Sequence, residues 1–194
     1  MTAFPEAGLV VAAGGGSRRF GERNKLLEPL GGQPVFLHCL RRLAVVVPPE
    51  RTVLVVPPAE WQAFAAALAA SGLSLALVDG GASRAESVLA GLRALPPAVR
   101  LAAVQDAARP FTTADLLERC LASAREHGSG VAARPVVDTI KTVDEREFVL
   151  ATPERSRLRA TETPQVFTRA DIEDAYRDCL EERQRTRQKS SQRI

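Results

Sequence analysis

Short apolar runs alternate with helical spacing along most of this chain, and a glycine or polar cluster follows nearly every run. Residues 9–13, Leu-Val-Val-Ala-Ala, form the first run and read as a buried parallel strand ending in Gly14-Gly15-Gly16. Phe36, Leu37, Leu40 and Leu43 then recur at helical spacing, which predicts a helix over 34–46 with Pro34 in its first turn. Residues 52–56 are a second buried strand closed by Pro57-Pro58. An Ala-rich helix over 60–70 follows, stopped by Ser71-Gly72. Residues 73–78 make a third strand, 83–95 a helix, and 101–104 a fourth strand. Thr112 or Thr113 caps a helix running to about 126, with Gly128 beyond it, and 130–133 opens a fifth strand. Strand and helix alternating in this way predict a Rossmann-like α/β fold, a mostly parallel sheet with helices on both faces.

The rhythm changes after Arg134. Val137, Thr139, Lys141 and Val143 alternate apolar with polar, and Phe148 and Val149 resume beyond Asp144-Glu145-Arg146, which predicts a protruding hairpin. With no helix to cover it, its apolar side needs a partner subunit. Residues 161–167 return to extended structure, and Thr168 caps a helix over 169–182. The chain thus divides into an α/β domain over 1–134 and 159–182, a β-arm over 135–158 inserted in it, and a basic tail over 183–194 expected to be disordered.

Charge and composition change this picture in one respect. The net charge is +3, but the five basic residues of 183–194 carry it, and without them the body stands at −2. A nucleic-acid partner would rest on the tail alone, and one Trp and one Tyr leave little to stack on bases. No apolar run approaches a membrane span, and no signal peptide opens the chain. Cys39, Cys120 and Cys179 are odd in number and lack metal-ligand spacing, as expected of reduced thiols in a cytoplasmic protein. His38 and His127 read as helix residues without a chemical role.

Candidate chemistry gathers at three strand ends, covering 14–25, 79–87 and 105–110, where ligands of parallel sheets bind. Three glycines followed by Arg18, Arg19, Arg23 and Lys25 can turn backbone N–H groups and cations on a polyphosphate. The loop is not a Walker loop, since Glu22 follows Gly21. It is not a dinucleotide loop either, since Arg19 stands where the third glycine belongs. A strand–helix turn with solvated basic residues would look the same. Asp79-Gly-Gly-Ala-Ser-Arg-Ala-Glu-Ser87 can be a helix cap or a pocket for a base edge. Asp106 and Arg109 suit hydroxyls and a phosphate, or simply pair with each other.

Taken together and in order, AAGGGSR with Lys25, DGGASRAESV (79–88), DAARP (106–110), DTIK (138–141) and TPQVF (163–167) resemble the 2-C-methyl-D-erythritol 4-phosphate cytidylyltransferase family. The resemblance covers about residues 8–180. It implies transfer of CMP from CTP to methylerythritol phosphate in non-mevalonate isoprenoid biosynthesis, releasing pyrophosphate. It implies that Arg18 and Lys25 are catalytic and hold the triphosphate. It assigns the nucleotide to Ala12, Ala13, Gly14, Gly15, Gly16, Gly81, Ala82 and Ser87. It assigns the acceptor to Asp106, Ala107, Arg109, Thr139, Arg155 and Thr163. Thr139 and Arg155 would serve the partner's site in a homodimer joined through 135–158. Mg²⁺ is implied as the cofactor, held mainly by the CTP phosphates, with no protein ligand assigned. Family members continue past the last helix into a strand carrying Ile-Lys-Val-Thr, which residues 184–194 do not match, so the end reads as truncated or divergent. Two alternatives therefore stand beside this reading: a cytidylyltransferase for another polyol phosphate such as ribitol 5-phosphate, and a CTP-binding remnant without turnover.

Overall fold

A computed structural model describes residues 3–14 and 24–191. Strand β1 (Ala7–Ala12) is buried along nearly its whole length and lies between two parallel neighbours. Two-residue strands β2 (Pro29–Leu30) and β3 (Gln33–Pro34) form a small turn that leads into helix α1 (Val35–Leu43). Strand β4 (Thr52–Val56) and helix α2 (Trp61–Ser71) follow, then strand β5 (Ala76–Asp79) and helix α3 (Arg84–Ala94). Strand β6 (Leu101–Asp106), helix α4 (Ala114–His127) and strand β7 (Ser129–Pro135) complete the alternating part. Short strands β8 (Thr142–Val143) and β9 (Val149–Ala151) pair with each other, and strand β10 (Arg159–Thr168) leads into helix α5 (Arg169–Ser191).

The six-stranded sheet has the order β5-β4-β1-β6-β10-β7. Pairings β5–β4, β4–β1 and β1–β6 are parallel, whereas β10 runs antiparallel to both its neighbours. This is the mostly parallel α/β sheet that the sequence predicts. The alternation of side chains divides the core in two. Leu9, Val11, Leu54 and Ala103 face a layer containing Phe36, Phe64, Leu117 and Leu121. The Phe36 and Phe64 rings meet there edge to face, 5.0 Å apart. Val10, Val53, Val55, Ala102 and Val104 face the other layer, with Val88, Leu92 and Ile172.

Local signals account for most boundaries. Ser83 accepts from Glu86 N at 3.2 Å and caps α3, and Thr113 accepts from Leu116 N at 3.2 Å and caps α4. Gly72 and Gly128 end α2 and α4 in the left-handed conformation, at φ 74° and 82°, where a side chain would be strained. Arg169, the first residue of α5, donates to Leu92 O and Pro96 O at the end of α3, and its own N–H reaches Arg100 O.

Two expectations change. The third strand is not 73–78 but the half-exposed edge strand β5, because residues 73–75 precede its pairing with β4. The tail beyond 182, expected to be disordered, continues α5 to Ser191. Glu, Arg, Gln and Lys favour helix even without an apolar face, and Arg185 pairs with Glu181 one turn back at 3.5 Å. Residues 183–186 remain exposed, so the extension is helix without packing.

Candidate active site

Parallel register brings the ends of two central strands to the same level: Ala12 lies opposite Asp106. Beyond them opens a cleft of about 720 Å³ lined by the Ala12–Gly14 strand end, Lys25, the 82–87 helix start and the 106–109 turn. All three sequence clusters therefore reach one cleft.

Lys25 owes its place to the residues on either side. Asn24 is buried. Its Oδ1 accepts from Leu26 N at 3.0 Å, its carbonyl accepts from Leu27 N at 3.0 Å, and its amide donates to Glu60. Leu26 sits in the core. Anchored on both sides, the chain leaves the Lys25 side chain exposed in the cleft. Gly15, Gly16 and Arg18 lie outside the described residues.

The 79–87 cluster is organised by one hydroxyl. Ser87 is buried, and its Oγ accepts from Gly81 N at 3.1 Å and donates to Ser83 O at 2.9 Å. The hydroxyl expected to meet a base is thus already spent on shaping the 81–83 loop. Ala12, Gly14, Ala82 and Ser87 line the cleft. Ala13 does not: it is fully buried in the core, with its N–H on Val55 O at 2.7 Å.

The cluster at 105–110 belongs to a chain of ion pairs. Arg84 Nη2 donates to Asp106 Oδ1 at 3.1 Å, and Arg109 Nε lies 3.7 Å from Asp106 Oδ2. Arg109 Nη1 also meets Glu162 at 2.9 Å, and Glu162 pairs in turn with Arg134 at 3.2 Å. Partial burial alone would lower the Arg84 pKa, but the hydrogen bond and charge of Asp106 outweigh it and raise it above its ordinary value. Pairs this exposed contribute only about 0–1 kcal/mol to stability. Their effect is to hold two guanidinium groups and a carboxylate in fixed relation at the cleft. Thr163 is buried, and its Oγ1 accepts from Asp106 N at 3.2 Å. β10 runs antiparallel to β6 with Gln165 opposite Val104, and the same register carried two residues further brings Thr163 to Asp106.

Ala107, expected to meet the acceptor, is fully buried in the core, with its N–H on Ala12 O at 3.0 Å. Its neighbour Ala108 lines the cleft instead. Thr139 and Arg155 are exposed in the 135–158 segment and do not line the cleft of their own chain. Arg155 Nη1 donates to Val137 O at 2.8 Å. Arg84, Glu162 and Arg134 escaped sequence reading because their roles come from pairing across elements distant in the chain. Cys39 has no nucleophilic part, since burial pushes its thiol up to about 12, with the Asp106 charge adding to the rise.

Comparison with known proteins gives the family. The profile of the family described as IspD, 2-C-methyl-D-erythritol 4-phosphate cytidylyltransferase, matches residues 7–191. The chain belongs to this cytidylyltransferase family. A family member from Symbiobacterium thermophilum is 39% identical over 176 residues, covering 91% of this chain and 74% of that protein. The crystal structure of 4-diphosphocytidyl-2C-methyl-D-erythritol synthase from Anaerococcus prevotii superposes with a TM-score of 0.77 at 25% identity, covering 90% of this chain and 76% of that one. The cytidylyltransferase of Thermus thermophilus gives 0.69 at 28% identity, covering 91% and 77%. The chain is thus similar to about three quarters of these cytidylyltransferases, and family members are nucleotide-transferring enzymes.

Proposed function

We propose that this chain transfers CMP from CTP to 2-C-methyl-D-erythritol 4-phosphate, giving 4-diphosphocytidyl-2-C-methyl-D-erythritol and pyrophosphate. The observation that carries the reading is the convergence of Lys25, Arg84, Asp106 and Arg109 on one cleft in a chain of this family. The acceptor's phosphate is already a nucleophile at neutral pH, so neither a covalent intermediate nor a strong base is needed. The reaction needs in-line alignment of two anions and positive charge where pyrophosphate develops. Lys25, with Arg18 from the preceding loop, supplies that charge. Backbone groups of Ala12, Gly14 and Ala82 flank the nucleoside, and Ser87 holds the 81–83 loop in shape. Asp106 accepts from acceptor hydroxyls, and Arg109 faces the acceptor's phosphate.

A divalent cation fits this site only as an ion carried by the triphosphate. Among the described residues no cluster of three acidic, His or Cys side chains could hold one, and the cleft's carboxylate, Asp106, already pairs with two arginines. Mg²⁺ would be the ion, and when bound it neutralises phosphate oxygens. The test is pyrophosphate release from CTP and Mg²⁺ with methylerythritol phosphate, ribitol 5-phosphate and other polyol phosphates as acceptors. Fastest release with methylerythritol phosphate is expected. Preference for another polyol phosphate, or CTP binding with no release, overturns the reading.

The chain works as a homodimer joined through 135–158, in the cytoplasm. No described helix is long and apolar enough to cross a membrane. Support for the dimer comes from Val137, Val143, Phe148, Val149 and Leu150, which are 50–69% exposed in one short segment. Replacing Phe148 and Leu150 together by aspartate should turn a dimer into a monomer in sedimentation velocity. A wild-type chain that sediments as a monomer at micromolar concentration rejects the arm's role.

A further inference from the structure

Gln105 is fully buried on β6, between Leu101, Ala102, Ala103 and Val104 on one side and Asp106 on the other. Its Nε2 donates twice, to Asp106 O at 3.0 Å and to Thr112 Oγ1 at 3.0 Å. Asp106 O can only accept, so the orientation of the amide is settled and Oε1 lies on the other side. Among the described residues, that Oε1 has no partner. A leucine or methionine would fill the same space without burying an unpaired carbonyl. Packing therefore does not explain the amide, and what it does is bond the turn above it.

The bonds continue around that turn. Thr112 is also buried, and its Oγ1 donates to Arg109 O at 3.2 Å. Thr112 N reaches the same carbonyl at 3.3 Å, and Arg109 N donates to Asp106 O at 3.2 Å. Both ends of the 106–109 segment are thus tied by main-chain carbonyls to two buried side chains. Thr113, not Thr112, caps α4, so the Thr112 hydroxyl is committed to the turn.

We propose that Gln105 and Thr112 form a buried clamp that positions Asp106 and Arg109 for the acceptor of the transfer reaction. Both are positioning residues, since neither lines the cleft. The inference rests on the reading of Asp106 and Arg109 as the acceptor's contacts. It predicts that loosening the clamp affects the acceptor and spares CTP, whose cluster lies on β1 and α3.

The experiment compares Gln105→Met, Thr112→Val, the double variant combining these two, and Thr112→Ser with wild type in steady-state kinetics, together with hydrogen exchange of the 106–112 amides. Gln105→Met and Thr112→Val should each lower kcat/KM for methylerythritol phosphate about ten- to a hundredfold, the scale of a small misplacement of reacting groups. The KM for CTP should stay within about twofold of wild type. Thr112→Ser, which keeps the hydroxyl, should restore most of the loss. The double variant should be no worse than the poorer single one, since both act through one chain of bonds. Exchange should quicken at 106–112 and not at 80–90. Equal changes for both substrates, no change for either, or a Thr112→Ser variant as impaired as Thr112→Val would overturn the clamp. If Gln105→Met does not fold, the two threonine variants decide the question by the same criteria. If wild type releases no pyrophosphate, the functional reading fails separately. Exchange at 106–112 then decides the clamp alone, and unaltered exchange in Gln105→Met and Thr112→Val rejects it.

Discussion

Replacing Lys25 by alanine is expected to lower kcat for pyrophosphate release by about 10²–10³-fold, the usual effect of removing one charged or hydrogen-bonding group aimed at a developing anion. The side chain is exposed in the cleft, so truncating it removes no core packing and should not disturb folding. Its backbone is held by the Asn24 and Leu26 contacts, which alanine retains. The loss should therefore fall mainly on kcat, with a smaller rise in KM for CTP, because charge on the α-phosphorus and pyrophosphate grows on the way to the transition state. Lys25→Arg should recover only part of it, since a planar guanidinium does not replace a compact ammonium. A Lys25→Ala enzyme within a few-fold of wild type would remove Lys25 from the reaction.

The second large effect is on stability. Gly130 is buried on β7, where α4 crosses the strand. A methyl group there would come within 2.0 Å of Cys120 O and 2.8 Å of Cys120 C. Both atoms are main chain in the middle of α4, so no rotamer change relieves the clash, and the helix must move off the sheet. Gly130→Ala should cost about 3 kcal/mol, at the upper end of overpacking. In a chain of this size that lowers Tm by roughly 6–12 °C. An unchanged thermal midpoint would contradict the helix–strand spacing described here.

What the sequence announced, and what it hid, follow from how local each signal is. The strands at 7–12, 52–56 and 101–106 are central and buried, so nearly every residue is apolar and the runs are visible on their own. The edge strand at 76–79 is half-exposed, and its bounds depend on pairing that no local pattern records. Thr113 and Thr168 could be read as caps because the bond they make closes within three residues. That Lys25, Asp106 and Arg109 come to one cleft was legible because they follow glycine turns and strand ends, which a parallel sheet gathers at one edge. Arg84 stood inside a legible motif, yet its partners Asp106 and Tyr176 are far away in the chain. The same holds for Glu162 with Arg109 and Arg134, and for Ala107, whose side chain turns inward although its neighbours face the cleft. The helical extension past 182 was misjudged because lack of an apolar face argues against packing, not against helix.

Helix α3 is fastened to α5 at both ends. Arg84 donates to Tyr176 Oη near its start, and Arg169 donates to Leu92 O and Pro96 O near its finish. The two helices consequently form a strut, and the wall of the cleft that carries Ser87 is the stiff one. A substitution at Tyr176 or Arg169 would therefore reach that wall through α3, although neither residue lines the cleft.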